Sequence, residues 1–503
     1  MAEQNVLNCF INGRFVQSGT TKYNDAYDPS TGAVIAKVPC CTEAEVEAAV
    51  AAAKEAYPTW SSTPVAKRVQ VLYKLRNLLY SHLDELTRLV AQENGKAWAE
   101  AKGDVLKAIE GTEHAISAPS LMMGESLMDT SAGFDTVLYR EPLGVFAGII
   151  PFNFPAMIPM GWMAPMCIAT GNTIVLKAAT FTPQTALRIA ALYAEAGLPA
   201  GVLNIVTCSR NEAEILLKHP DVKGVSFVGS TKVGLHIYST AASHGKRVQA
   251  LCEAKNHALV LEDAPIKRTA ASIINAAFGC AGERCMALPA VVVQQSVADE
   301  LVREVVALAQ KLKVGPAYHQ DTEMGPVVNA EHKQWVESCI QKGVDQGAKL
   351  VLDGRGYRVE GYENGFYVGP TVFDHVTPEM SIGDFEIFGP VLCIKRVKDF
   401  EEGLAVMNRS QFANGSVIFT QSGHYAREFA RRTHGGMVGI NVGIPVPVGF
   451  FPFSGHKNSF FGDLHCLGKD GVRFYTESKV VTTRWIDEEE AKREKVSTWD
   501  GTI

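Results

Sequence analysis

The sequence predicts an α/β protein made of two doubly wound domains and a small β oligomerisation element. From Leu143 onward, short β runs alternate with helical segments, the pattern of a parallel sheet covered by helices. A second series of the same kind runs from Arg268 to Asn441. The tail from Phe474 to Arg484 alternates β-formers with polar residues, as an edge strand that pairs with another subunit does. With 503 residues, 47% of them hydrophobic, the chain can fill two or three cores.

The first hundred residues read as a short β-rich arm followed by helices. Thr42 and Glu45 have the spacing of a capping box that opens an Ala-rich helix running to Tyr57, and Val65 to Tyr80 has helical apolar spacing. The first alternation predicts strands over Gly144–Ile150, Thr173–Lys177, Val202–Thr207, Gly224–Val228 and Val248–Leu251, with helices such as Gln184–Ala196 between them. The second predicts a helix over Arg268–Cys280, a strand near Ala290–Gln294 and a helix over Ala298–Leu312. No repeat, low-complexity tract or long linker separates the two series, so they are expected to pack together around a cleft.

Composition excludes several functions. A net charge of −6 offers no general attraction to nucleic acid or to acidic membranes. Met1–Phe10 lacks a basic start with an apolar core, and the eleven cysteines form no paired metal-like spacing. A cytoplasmic protein with reduced thiols and no metal is expected. The uncharged stretch between Glu141 and Lys177 contains five prolines and Asn153, whose unmet polar groups fit a buried, irregular protein interior and not a membrane span.

Several short motifs carry candidate chemistry. Phe278-Gly-Cys-Ala-Gly-Glu-Arg-Cys285-Met ends a helical run with small residues, a setting in which a thiolate can be approached by substrate; a buried structural thiol is the competing reading. Pro151-Phe-Asn153-Phe-Pro155 fixes one amide between rigid neighbours, either as a donor to a developing oxyanion or as a turn asparagine. Gly229 and Gly234 flank a strand-to-helix junction whose N–H groups can face a pyrophosphate. Lys177 ends an apolar strand, where it is either a ribose contact or a solvated lysine. Glu386 and Phe388, in Glu-Ile-Phe-Gly-Pro, can meet a second ribose and a nicotinamide ring, or belong to an ordinary loop.

These motifs occur together and in one order, and in this the chain resembles the aldehyde dehydrogenase superfamily along nearly its whole length. Pro-Phe-Asn153-Phe-Pro, the strand ending at Lys177, Phe-Val-Gly229-Ser230-Thr, Gly-Glu-Arg-Cys285, Glu386-Ile-Phe388-Gly-Pro, Pro452-Phe-Ser-Gly-His-Lys457 and Tyr475-Thr-Glu-Ser-Lys479 carry the resemblance. It implies that Cys285 is the nucleophile and Asn153 the oxyanion donor. It also implies that Phe152, Lys177, Thr180, Gly229, Ser230, Gly234, Leu251, Glu386 and Phe388 surround a nicotinamide dinucleotide.

The superfamily divides by what releases the acyl group from the cysteine. Hydrolytic members carry a Glu-Leu-Gly-Gly-Lys motif, and aligning its lysine with Lys255 sets Leu251 where the water-activating glutamate would stand. Gly282-Glu-Arg-Cys285-Met-Ala and Ala254-Lys-Asn256-His257 are more similar to the CoA-acylating methylmalonate-semialdehyde dehydrogenases, which lack that glutamate. This implies a short anionic semialdehyde, CoA as cosubstrate, and propionyl-CoA or acetyl-CoA as product after loss of CO2.

Three departures bear on that expectation. Glu253 stands where the subfamily has glycine and, on an extended backbone, points to the same side as residue 251, so it is the displaced base of an alternative, hydrolytic enzyme or simply an ion-paired glutamate. Of the subfamily's two carboxylate-binding arginines, one matches Arg284 and the other falls on Lys107, which keeps the charge but loses the two-point grip. Thr180 replaces a glutamate that holds ribose hydroxyls in many relatives, so NAD is expected while NADP stays open. A non-catalytic protein that retains the fold is a third reading, opposed by the retained nucleophile and amide.

The expected domains are residues 1–118 and 142–253 for cofactor binding and 254–455 for catalysis. Residues 119–141 and 466–486 form the oligomerisation element of a homodimer or homotetramer.

Overall fold

The computed structural model describes residues 5–492. Its largest sheet has eight strands, of which five run parallel: in spatial order Leu203–Val206, Thr173–Lys177, Val145–Ile149, Val222–Val228 and Arg247–Leu251. In chain order this is 3-2-1-4-5, the doubly wound arrangement, with its reversal between Val145–Ile149 and Val222–Val228. These strands are rich in Val, Ile and Leu because both faces are covered. Successive side chains go to opposite cores. Phe146 joins the cluster beneath the helices Val65–Ser81 and Trp98–Ile116, whereas Val145 and Ala147 pack with Val46 and Val50 of Glu43–Ser62 and Leu216 of Arg210–Lys218.

The second sheet has seven strands. Thr371–Asp374, Val391–Val397, Ala290–Gln294, His257–Val260, Gly415–Phe419 and Met437–Ile440 are parallel in that spatial order, with Lys349–Leu352 antiparallel at one edge. Ala258 and Val260 face one core and Leu259 the other.

The predicted capping box is formed, with Thr42 N–H donating to Glu45 Oε2 at 2.7 Å, and the helix continues through Pro58 to Ser62. The uncharged stretch after Glu141 is buried protein interior: a strand, a single π-helical turn over Ile158–Met163 and the helix Ala164–Ala169. No helix among the described residues is long and apolar enough to cross a membrane, and none of their His, Cys, Asp and Glu residues cluster as a metal site.

The chain's end needs correction. The edge strand begins at Thr476, not Phe474, and pairs along its length with Phe134–Pro142 in a three-stranded sheet completed by Ser126–Ser131. The preceding Gly468–Phe474 is a helix whose Val472 and Phe474 are buried in the first core, so residues 466–475 are not part of the β element. Phe460–Gly462 adds antiparallel to the Arg247–Leu251 edge of the large sheet. Long-range burial decides these segments, and their local periodicity does not report it.

Candidate active site

The helix predicted to end at Cys280 stops at Phe278, and the chain then turns sharply. Cys280 and Ala281 both have φ 51° and Gly282 has φ 75°, three left-handed residues in a row. For the two non-glycine residues this costs roughly 1–2 kcal/mol each. Glu100 offsets that cost by accepting the Cys280 N–H with both carboxylate oxygens at 2.8 Å. Gly282 admits no side chain, since a Cβ there would lie 2.2 Å from the Gly389 carbonyl oxygen. The turn thus keys the Cys285 loop against the Glu386–Pro390 segment.

Two amides then fix the Cys285 loop. Asn256 Nδ2 donates to the carbonyls of Cys285 (2.9 Å) and Ala287 (2.7 Å) while its Oδ1 accepts the Gly415 N–H at 2.7 Å. Asn414 Nδ2 reaches the Cys285 carbonyl at 3.5 Å. Asn153 is buried and lines the same cavity as Cys285; its Nδ2 donates to the Glu283 carbonyl at 3.1 Å, leaving the second amide hydrogen for a ligand.

The loop bearing Asn153 rests on a buried ion pair, Lys96–Asp104, at 3.2 Å. Asp104 also accepts the Met157 N–H at 2.8 Å, and Lys96 Nζ lies 3.4 Å from the Phe154 ring centroid. Asn94 and Thr182 both donate to the Phe152 carbonyl. Neither Lys96 nor Asp104 carries a sequence signal, because a Lys in the link after Asn94 and a helical Asp eight residues on read as solvated surface. Glu283 and His332 are a further pair missed from sequence. Glu283 accepts the Val328 N–H at 3.1 Å, and His332 Nε2 contacts Phe388 O at 2.7 Å.

A cavity of about 450 Å³ lies between the two sheets and brings together Cys285, Asn153, Phe152, Glu253, Glu386 and Phe388. Phe388 holds φ 60°, a strained conformation for a residue with a side chain, and its ring meets Phe152 edge-on at 5.9 Å. Glu386 accepts the Ala254 N–H at 3.2 Å, and burial together with neighbouring Glu253 pushes its carboxyl up to about 8. Burial first, then the Glu386 charge, push the Cys285 thiol up to about 12, so in the free protein it is held protonated at neutral pH.

Alkylation of Cys285 by iodoacetamide should therefore accelerate roughly tenfold per pH unit from 7 to 9, as the thiolate fraction rises below its pKa. Glu386→Gln should speed the reaction at pH 9, where Glu386 is ionised, and change it little at pH 6, where it is already neutral. A labelling rate that is flat with pH, measured by mass spectrometry of the Cys285 peptide, contradicts this assignment.

Leu251 departs from expectation. It is 5% exposed and belongs to the core cluster containing Met286 and Phe460, while the cavity wall at this strand end is Cys252 and Glu253. Its side chain is thus a core group outside the lining of this cavity. Residues 251 and 253 do not share surroundings: Leu251 packs in the first core, whereas Glu253 lines the cavity. Glu253 Oε2 accepts the Thr231 N–H at 3.2 Å and so caps the helix Thr231–Ser243.

That helix start is a fit for a nucleotide phosphate: Gly229 and Ser230 line the cavity, Ser230 makes no side-chain cap, and a carboxylate already occupies the anion position. Gly234 serves differently. Its N–H is spent on Ser230 O at 2.8 Å, and a Cβ would lie 2.2 Å from Cys252 Sγ, so it permits close helix packing and offers no phosphate donor. Lys177 lines a separate, smaller cavity at the sheet's carboxyl edge, and Thr180 lies half-buried three residues on.

On the other side of Cys285 a cavity of about 290 Å³ brings Arg284 and Lys107 together. Both cations already have partners: Arg284 pairs with Glu100 at 2.6 Å and donates to Cys280 Sγ at 3.1 Å, and the exposed Lys107 pairs with Glu110 at 2.5 Å.

Two packed α/β sheets sharing cavities lined by a thiol, an amide and a phosphate-ready helix start define an α/β dehydrogenase. The aldehyde dehydrogenase family profile matches residues 15–481, and the chain belongs to that family. Malonate-semialdehyde dehydrogenase 1 of Geobacillus thermodenitrificans is 50% identical over 95% of this chain and 99% of its own length. The solved methylmalonate-semialdehyde dehydrogenase of Oceanimonas doudoroffii is 43% identical with a TM-score of 0.95, covering 97% of this chain and 100% of that one. A Sinorhizobium meliloti chain solved in complex with NAD is 41% identical with the same TM-score, covering 97% and 99%.

Proposed function

We propose that the protein oxidises a short anionic semialdehyde, of the malonate or methylmalonate semialdehyde class, and transfers the acyl group to CoA. The observation that carries the choice of CoA over water is the state of the two candidate bases: position 251 is a leucine in the core, and Glu253 is engaged as a helix cap. The names of the relatives described above support the substrate class.

In this reading Cys285 loses its proton and its sulfur adds to the aldehyde carbon. The resulting oxyanion accepts hydrogen bonds from the free Asn153 amide hydrogen and the Cys285 backbone N–H. Gly229, Ser230, Lys177, Glu386 and the Phe152–Phe388 wall would hold NAD or NADP, which would supply the acceptor for the hydride that the adduct releases. Cys285 then carries a thioester. The CoA thiolate attacks its carbonyl, the Asn153 amide faces the second oxyanion, and Cys285 leaves as thiolate. Loss of the substrate carboxylate as CO2, with a proton taken up at the α carbon, gives acetyl-CoA or propionyl-CoA. Arg284 and Lys107 are the proposed carboxylate contacts, for which the substrate competes with Glu100 and Glu110.

Malonate semialdehyde should turn over to acetyl-CoA, with steady-state rates falling at least about tenfold when CoA is omitted. Release of a free acid at full rate without CoA, followed by chromatography, defeats the acylating assignment. The edge strand Thr476–Arg484 and the exposed Leu127, Met128 and Val480 support the reading that the three-stranded sheet joins a second copy, as a homodimer or homotetramer. The eleven unpaired cysteines are in keeping with a reducing cytoplasm.

A further inference from the structure

A buried polar cluster grips the turn that leads into Glu386, and the chemistry described above does not use it. Lys255, His257 and Lys395 are 2%, 3% and 4% exposed. Lysine is seldom buried this deeply without partners that replace its lost water, so its hydrogen bonds identify what it holds.

The second sheet brings the cluster together. His257, Ala290 and Cys393 lie level in three neighbouring parallel strands, and Lys395 follows Cys393 on the same face. Ala290 between them carries only a methyl, and Lys395 Nζ comes within 3.3 Å of His257 Nε2. The other ring nitrogen, His257 Nδ1, lies 2.7 Å from the Lys255 carbonyl, which can only accept, so Nδ1 carries the hydrogen and Nε2 offers its lone pair to the ammonium. Burial first, then the Lys395 charge, hold this imidazole well below its usual pKa, and it stays neutral.

The remaining hydrogens go to one turn. Lys395 Nζ donates to the Gly383 carbonyl at 3.1 Å and to Asp384 Oδ1 at 3.3 Å, so its three hydrogens have three acceptors. Lys255 Nζ donates to the Ile382 carbonyl at 2.9 Å. Two buried cations thus hold residues 382–384, and the turn packs so closely that a Cβ on Gly383 would lie 2.9 Å from Lys395 Cε. Glu386 stands two residues further on, its carboxyl on the Ala254 N–H. Because Lys395 belongs to the strand Val391–Val397 inside the sheet, the turn takes its place from a rigid element.

We infer that Lys395 is a positioning residue: by tying the turn 382–384 to the sheet it fixes where Glu386 meets the nicotinamide-side ribose of NAD, and so the pose of the nicotinamide. The inference rests on the dinucleotide reading given above and adds to it a residue that does not touch the cofactor.

The test is calorimetric titration of the full chain, without aldehyde or CoA, with NAD and with adenosine 5′-monophosphate, which has no second ribose. Lys395→Met should weaken NAD at least about tenfold and the monophosphate less than about twofold. Methionine fills the space of the stem, and the carboxylate it frees, Asp384, has a side chain 51% exposed that water can serve, so the fold should hold. Gly383→Ala, whose methyl moves the turn off an intact Lys395, should weaken NAD with the same selectivity by at least about threefold. Substitutions that act through one contact do not add, so once Glu386→Ala is present Lys395→Met should weaken NAD by less than about a further twofold. Unchanged NAD affinity in Lys395→Met, equal loss of both nucleotides in Lys395→Met and in Gly383→Ala, or an undiminished further loss in the Glu386→Ala background overturns the positioning role and leaves the dinucleotide reading standing. NAD affinity untouched by Glu386→Ala alone, or a parent protein that does not bind NAD, overturns both.

Discussion

Cys285→Ala is expected to abolish reduction of the nicotinamide cofactor, lowering turnover of any aldehyde by roughly four orders of magnitude or more, as loss of a covalent nucleophile does. The fold around it should survive. The hydrogen bonds that fix this loop, from Asn256 and Asn414, are received by the Cys285 carbonyl, and Asn153 binds the Glu283 carbonyl, so the sulfur takes no part in them. Cofactor affinity, read by calorimetry, should therefore stay within a few-fold of the parent. Cys252 lines the same cavity, which makes Cys252→Ala the informative control. Burial and the two neighbouring glutamates, Glu253 and Glu386, push its thiol up to about 12, and its sulfur sits where helix packing at Gly234 leaves no room. Undiminished NADH or NADPH formation by Cys285→Ala, or loss of activity only in Cys252→Ala, would transfer the covalent role to the other thiol.

What the sequence made legible was whatever local chemistry encodes. The strand Thr173–Lys177 was bounded to the residue, because an apolar β-branched run ends there on a charge. The capping box at Thr42 was legible because two side chains three apart satisfy each other's backbone. Cys285 and Asn153, the proposed nucleophile and its amide, came from motifs taken jointly, and the structure sets both in one cavity. Residues whose role lies in a distant partner stayed hidden. Lys96 looks like a solvated lysine until the fold buries it, and Asn256 holds three backbone groups from two segments far apart in the chain. Leu251 was placed at the cofactor by counting along a motif, but its side chain packs in the core with Met286 and Phe460 and does not line the cavity. Substituting glutamate at 251, attractive from the motif alone, would bury a carboxylate.

The Lys96–Asp104 pair is the place where one substitution should damage stability and chemistry together. Lys96→Met keeps the apolar stem over Phe154 but strands a carboxylate that is 1% exposed, with the backbone N–H groups of Met157 and Ala156 as its remaining donors. Removing one partner of a buried pair costs roughly 3–5 kcal/mol, to be read from the midpoint of urea unfolding. Burial already outweighs the attraction of Lys96 and raises the Asp104 carboxyl above its usual range. A raised folded-state value means that the charged form is the destabilised one, so the penalty is fully felt well above that value and fades as the group protonates on acidification. The gap between Lys96→Met and the parent should thus narrow between pH 7.5 and pH 5. Adding Asp104→Asn to Lys96→Met should restore much of the loss, because an amide oxygen still accepts the Met157 N–H without a charge to bury. Because Asp104 holds the Met157 backbone and Lys96 covers the Phe154 ring, both just beyond Asn153, the single variant should also lower kcat by about a hundredfold with a smaller change in KM, as misplaced transition-state donors do. A Lys96→Met protein as stable as the parent at pH 7.5, with kcat intact, would mean that the Asn153 loop is held by its prolines and by the clamps on Phe152 alone.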